Sequence, residues 1–309
     1  MPLYLSEADV DALLTPADAL AAIEACFARM AAGAVDNRPR HRHRLESGAM
    51  AVMSAVDHEL VRGGVKAYAA LSKRTSFVVT LFDIDKAEVE AVIEADKLGQ
   101  LRTGAASGVA AKYLAKEGAT TLGILGCGWQ AESQVASIRE AVPTIKKVVA
   151  YCRTEKSLKK FCRKVKAEAG ETHRDPASQD IVVTATNSAD PVLRGEWLQF
   201  GALVCAMGAN VPQHRELDNQ VLERAAFVCC DSLAQARIES GDLIEPVQQG
   251  TLDWLEVHEL QEVVAGELSG RASPDDIVLF KSNGLAAWDV AIATKAVELA
   301  RERGVGREL

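Results

Sequence analysis

The sequence predicts an α/β protein, a mostly parallel sheet preceded by an α+β region, and three observations carry that prediction. An apolar β-type run at 122–125 ends in Gly126-Cys127-Gly128 and opens at once into a helical pattern with Ala131 in its first turn. Short apolar runs at 148–151, 181–185, 203–207, 227–230 and 277–280 then alternate with helix-like segments, as in strands whose two faces are covered by crossover helices. Before position 118 the order differs: one helix is followed by extended segments at 48–56, 63–70 and 77–82, the last rich in β-branched residues.

At 309 residues, 48% apolar and 25% charged, the chain has ordinary globular composition and a length suited to about two domains. The stretch before the glycine motif reads as a place to hold a substrate, and the stretch after it as a place to hold a cofactor. A formal charge of −8 repels phosphate backbones, so nucleic acid is not an expected partner. No run of about 18 uncharged apolar residues occurs, and the first residues lack the basic start and apolar core of a signal peptide. A membrane is therefore not expected as a partner, and the expected compartment is the cytoplasm. The seven cysteines form no Cys-x-x-Cys pair and read as reduced thiols, Cys127 being a small side chain tolerated in the glycine loop.

Taken in order, Thr15-Pro16 is a capping hydroxyl with proline at the first helical position, and a core-facing helix follows over 17–32, closed by Gly33. In 37–44 the arginines Arg38, Arg40, Arg42 and Arg44 alternate, so an extended strand places all four on one face and His41 and His43 on the other. A charged edge strand accounts for most of them; at least one is expected to fork onto a substrate carboxylate. The two histidines lack acidic or cysteine partners at ligand spacing, and no metal is expected. Lys66 lies in an apolar strand. Either it snorkels to the surface or, if it points into a pocket, desolvation lowers its pKa and suits it to proton transfer.

The segment 99–115 reads as a helix with Gly104, Ala105, Ala106, Ser107 and Gly108 in its first turns, residues that weaken a helix and so imply close packing. Arg102, beside the expected N-terminus, is positioned to join the helix dipole in attracting an anion. In the glycine motif, Gly126 supplies a tight turn, Gly128 lets the backbone approach a pyrophosphate, and Ala131 packs the helix on the strand. This is a Rossmann-type reading. The next strand ends in Tyr151-Cys152-Arg153-Thr154, without the acid that accepts ribose hydroxyls in NAD sites. NADP is therefore preferred over NAD, with Arg153 and Thr154 facing the 2′-phosphate. A further helix runs from there to 169. Thr184, Thr186, Met207, Gly208 and Asn210 follow at strand ends, where open α/β sheets bind ligands. The last helix, 286–303, reads as amphipathic and opens after Ser282-Asn283-Gly284.

Gly64-Val-Lys66, Leu101-Arg-Thr-Gly-Ala-Ala-Ser107, Gly126-Cys-Gly-Trp-Gln-Ala131, Val183-Thr-Ala-Thr186, Met207-Gly-Ala with Arg215-Glu-Leu-Asp218, and Ser282-Asn-Gly-Leu-Ala-Ala-Trp-Asp289 together resemble the ornithine cyclodeaminase/mu-crystallin family. The resemblance implies a homodimer whose subunits carry a substrate-binding and dimerisation domain, 1–117 with 286–309, and a Rossmann dinucleotide-binding domain, 118–285. It also implies reversible hydride transfer at the Cα–N bond of a small amino acid or imine. It places the carboxylate clamp on Arg40, Lys66 and Arg102, with Arg38 and Arg42 competing for the first position, and the acid/base on Lys66. The cofactor contacts it implies add Trp129, Gln130, Asn283 and Gly284. Ornithine cyclodeaminases hold the side-chain amine with an aspartate after the fifth strand; this chain has Asn210 there, which cannot pair with an ammonium. An imine reductase or amino-acid dehydrogenase is the first reading. The alternatives are an ammonia-releasing ornithine cyclodeaminase and a non-catalytic NADPH-binding protein.

Overall fold

The computed structural model describes residues 1–71 and 74–309. Its strands and helices run β1 (Leu3–Leu5), α1 (Glu7–Leu13), α2 (Pro16–Ala31), β2 (Val35–Leu45), β3 (Gly48–Asp57), β4 (Arg62–Leu71), β5 (Arg74–Asp83), β6 (Glu88–Glu94), α3 (Asp96–Leu114), β7 (Thr121–Leu125), α4 (Trp129–Ala141), β8 (Lys147–Tyr151), α5 (Glu155–Val165) and β9 (Glu168–Ala169). They continue α6 (Arg174–Ala177), β10 (Ile181–Thr184), β11 (Leu203–Ala206), α7 (Asn219–Arg224), β12 (Ala225–Cys230), α8 (Leu233–Glu239), α9 (Gly241–Gln248), β13 (Val257–Glu259), α10 (Leu260–Val264), β14 (Ile277–Lys281), α11 (Ala286–Arg303) and β15 (Arg307–Glu308). The chain divides into two compact units, Met1–Arg102 with Gly284–Leu309, and Thr103–Asn283. Among the described residues no helix is long and apolar enough to cross a membrane.

The first unit is a seven-stranded mixed sheet in the order β15-β1-β6-β5-β4-β3-β2, with β2 through β6 an antiparallel meander. Helix α2 starts as the sequence predicts: Thr15 and Asp18 exchange side chain-to-backbone bonds in a capping box, and Gly33 ends the helix at φ 71°. Helix α11 has the expected bounds but not the expected pattern. It is buried from Ala286 through Thr294, because α2 and strands β2 to β5 pack around it, and a helix covered on all sides has no polar face to keep.

Two further expectations are corrected here. The arginine ladder does not hold one face, since β2 slips register against β3 between Arg38 and His41. Pro39 has no N–H to give the ladder, and a bulge is where a strand tolerates it. Arg38 is left 72% exposed beside Asp36, while Arg40 turns inward with 7% exposure. Helix α3, in turn, starts at Asp96 rather than Gly99, so Arg102 lies in its second turn. The first amides of α3, Asp96 and Lys97, donate to the carboxylate of Glu7 at 2.6 and 2.9 Å. A carboxylate from α1 already occupies that helix start, and Arg102 attracts anions by its own charge.

The second unit is an all-parallel eight-stranded sheet in the order β13-β12-β14-β11-β10-β7-β8-β9. The expected helix to 169 stops at Val165, because Lys166 turns left-handed at φ 55° and the chain pairs as β9. The small residues of α3 have the packing role inferred for them: a Cβ on Gly104 would lie 2.4 Å from the backbone oxygen of Ser133 in α4. Backbone cannot rotate away as a side chain can. Gly104→Ala is expected to destabilise the protein by about 1–3 kcal/mol, the cost of overpacking, read as a lower urea midpoint at unchanged m-value.

Candidate active site

In the first unit, Lys66 on β4, Arg102 on α3 and Arg40 on β2 converge on the start of α11. The Lys66 Nζ donates to Asp289 Oδ1 at 2.9 Å, and Arg102 Nε lies 3.3 Å from the same oxygen. Arg40 donates through Nη2 to the Gly284 carbonyl at 3.5 Å and through Nε to Met53 Sδ at 3.3 Å. Gly284 sits at φ +84°, and a Cβ there would come within 2.5 Å of Arg102 Nη1. Glycine is thus what lets the guanidinium lie against the turn. The α11 start is fixed from β2 as well, where Asn37 Oδ1 accepts from the Ala287 N–H at 3.0 Å. Aromatic faces flank two of the cations, with Phe77 5.4 Å from Lys66 Nζ and Trp288 5.8 Å from Arg102 Cζ.

The electrostatics follow from burial. Lys66 and Asp289 are 3% and 1% exposed. Desolvation lowers the Lys66 pKa to about 8, Asp289 opposing the shift and Arg102 and Arg40 adding to it. Lys66 and Arg102 therefore share one internal carboxylate, and Arg40 is a third buried cation near them. A second carboxylate brought by a ligand would meet guanidinium forks and relieve their mutual repulsion.

The second unit carries the glycine loop at the C-terminal end of β7. Gly126 takes φ +108°, a conformation glycine alone adopts cheaply, and its Cβ position lies 2.4 Å from the Ala185 oxygen. Gly128 caps α4 without a side-chain bond, and nothing lies within 4 Å of its Cβ position. The backbone there is open to a ligand, and the uncapped helix start favours an anion. Ala131 is fully buried against the sheet. A cleft of ≈ 490 Å³ runs from residues 125–130 past Thr186 to Arg153 and Thr154 at the tip of β8. The open glycine loop, the helix start and the polar side chains of the lining are donors of the kind a dinucleotide needs.

Thr184, Met207, Gly208, Asn210, Asn283 and Gly284, also named from the sequence, are not among the residues that line this cleft. Thr184 is buried and donates to Glu216 Oε2 at 2.8 Å. Glu216 also accepts from the amides of Thr186 (2.6 Å) and Gly208 (2.7 Å), so one carboxylate ties the ends of β10 and β11 together. Asp242 Oδ1 in turn takes the Glu216 amide at 2.7 Å, and its Oδ2 lies 3.2 Å from Lys281 Nζ. Burial, then Asp242, raises the Glu216 pKa. Met207 donates its amide to the Thr184 carbonyl at 2.9 Å, Asn210 is exposed in the loop beyond, and the Asn283 amide donates to Asp231 Oδ2 at 2.7 Å. Gly284 falls in the other unit, with Arg40 and Arg102.

Sequence reasoning quoted Asp289 and Glu216 within motifs but gave neither a role. A signal existed for Asp289, an acid inside the apolar stretch 285–293 that must find a partner when buried; Glu216 sits among charged residues in 214–218, where no local pattern marks it.

A Rossmann-type unit with an open glycine loop, joined in sequence to a mixed-sheet unit with a buried cationic cluster, defines a two-domain α/β protein of the nicotinamide-dinucleotide class. The chain belongs to the Ornithine cyclodeaminase/mu-crystallin family, which it matches over residues 2–304. It is 38% identical over 245 residues to the Delta(1)-pyrroline-2-carboxylate reductase of Bacillus cereus, covering 77% of this chain and 75% of that one. It superposes with TM-score 0.95 on the Thermococcus litoralis Delta(1)-pyrroline-2-carboxylate reductase in complex with NADH and L-proline, at 30% identity over 99% of this chain and 100% of the other. An archaeal alanine dehydrogenase dimer with bound NAD gives TM-score 0.94 at 32% identity, over 100% and 98% of the two chains. These relatives are enzymes, reductases and a dehydrogenase, and both structures hold a nicotinamide cofactor.

Proposed function

We propose that this protein is an NAD(P)-dependent oxidoreductase acting at the Cα–N bond of a small amino acid or its imine. The observation that carries the reading is the buried cationic cluster in which Lys66 and Arg102 share the Asp289 carboxylate and Arg40 lies near enough to act on Lys66. Arg102 and Arg40 bind the substrate carboxylate and fix its orientation, which accounts for much of an enzyme's acceleration when two reactants must be aligned. Lys66 holds a proton at Nζ that it gives to the imine nitrogen during reduction and takes back during oxidation; a pKa of about 8 lets it do both near neutrality. The glycine loop 126–131, Thr186, Arg153 and Thr154 hold the nicotinamide cofactor, with Thr184, Met207, Gly208 and Asn283 supporting the strand ends around it. When bound, that cofactor supplies or accepts the hydride.

NADP is the proposed preference, because the β8 tip offers Arg153 and Thr154 and no acid, although the two related structures hold NADH and NAD. A homodimer is proposed on the exposed apolar residues Leu45, Met50 and Leu71 of the first sheet, and the archaeal relative is a dimer. Asn210 argues against ornithine as substrate, since an amide neither pairs with an ammonium nor takes its proton.

The test is turnover with NADPH and with NADH on pyruvate plus ammonia, on five- and six-membered cyclic ketimine carboxylates, and on ornithine. The proposal expects imine reduction with tighter binding of NADPH. Ammonia release from ornithine would replace it with cyclodeamination, and cofactor binding without turnover of any substrate would replace it with a binding role.

A further inference from the structure

The dinucleotide cleft does not end at Arg153 and Thr154: Ser157 and His173 line the same end. Thr154 is the N-cap of α5 yet makes no side-chain cap bond, so its hydroxyl is not committed to the helix. His173 arrives from a separate segment, just before α6. Its ring lies 4.5 Å from that of Tyr151 on β8 and 6.4 Å from that of Trp197, nearly parallel to the latter at 26°. The aromatic contacts fix the imidazole at the mouth of the cleft next to the β8 tip.

We infer that His173 completes a subsite for the ribose 2′-phosphate together with Arg153, Thr154 and Ser157, and that NADP(H) binding at this subsite takes up a proton onto the imidazole. The inference rests on the NADP(H) reading above and adds to it a residue and a pH dependence. The charges around the ring are Arg153 and Arg194, with Glu171, Arg174 and Asp175 along its own segment. The Asp175 carboxylate is taken up by the amides of Glu171 and Thr172 at 2.7 and 2.8 Å. Burial, then Arg153 and Arg194, holds the His173 pKa below its ordinary value, so the free site carries a neutral imidazole near pH 7. A phosphate dianion placed among the same groups neutralises the arginines' field and offers an acceptor, which favours imidazolium. The sign follows. Proton uptake on binding means that NADPH affinity is highest at or below the free-state pKa and declines as pH rises, until the raised pKa of the complex is passed. NADH lacks the phosphate and has no such decline.

The experiment is a titration of nicotinamide fluorescence with NADPH and NADH at half-unit steps from pH 6 to 8.5, on the wild type, His173→Gln and Arg153→Ala. Each unit by which the complex raises the pKa is worth tenfold in affinity, so on the alkaline side of about pH 7 the NADPH-to-NADH ratio of affinities is expected to fall by about tenfold in the wild type and to stay level in H173Q. The phosphate's own ionisation near pH 6 weakens NADPH at the acid end in both proteins, which leaves the alkaline limb as the diagnostic. An NADPH preference that survives while its pH profile is the same in wild type and H173Q would overturn the inference and leave the cofactor reading standing. Equal weakening of NADH and NADPH by H173Q would also overturn it, assigning the ring to adenine stacking. If the wild type binds NADH at least as tightly as NADPH throughout and R153A changes neither, the NADP(H) reading itself is lost, and this inference with it.

Discussion

Lys66→Ala is expected to lower turnover by about 10²–10⁴-fold, the usual contribution of a positioned acid or base, while changing cofactor affinity by less than about threefold. The separation follows from where the groups are: Lys66 bonds Asp289 in the first unit, whereas the glycine loop and the β8 tip belong to the second. The pH profile supplies the control for a merely structural role. With its pKa lowered to about 8 by desolvation, Lys66 is protonated below that value and can give a proton, so imine reduction should fall as pH rises through about 8. Oxidation of the amino acid needs the neutral amine and should rise through the same region. Lys66→Arg keeps the charge but cannot titrate near 8, and is expected to retain fold and cofactor binding without the activity. Equal losses of turnover and cofactor affinity in K66A, or a limb near pH 8 that persists in K66R, would remove Lys66 from proton transfer.

How legible this protein was depended on the range of the interaction. The parallel sheet, the α2 start at Thr15-Pro16, the bounds of α11 and the geometry of Gly126 and Ala131 were readable because each rests on neighbours within a few residues: a capping hydroxyl, a fixed proline φ, a glycine able to take positive φ. Strands β1, β9 and β15, with three, two and two residues, are too short to carry a pattern and exist only through their partners. The start of α3 was missed because Gly99 looks like a boundary, when the real cap is Glu7, 89 residues earlier than Asp96. In β2 the alternation of arginines was visible, and Pro39 was the clue that it would break, but only pairing with β3 shows which arginine turns inward. The site behaved the same way. Lys66 could be suspected from its strand, whereas its partner Asp289 lies 223 residues on, and no local pattern joins them.

That long-range pair carries the second large effect. Asp289→Asn, nearly isosteric, is expected to destabilise the protein by about 3–5 kcal/mol, the usual consequence of leaving one member of a buried ion pair uncompensated. Lys66 and Asp289 are both almost wholly buried, and Arg102 Nε shares the same carboxylate oxygen, so the loss falls on two cations at once. In the wild type Asp289 holds the Lys66 pKa up against desolvation and against Arg102 and Arg40. Without it the pKa must drop below about 8, and the high-pH limb of imine reduction should move to lower pH. Stability should change with pH in a defined sense. Between the lowered folded pKa and the ordinary lysine value the unfolded chain binds a proton that the folded chain does not, so stability rises with pH there. As that window widens downward in D289N, its deficit relative to the wild type should grow as pH falls below 8. Urea unfolding at pH 6.5 and 9 measures this directly. A deficit that is equal at the two values, with the activity limb unmoved, would mean that Asp289 shapes the α11 start without setting the charge on Lys66.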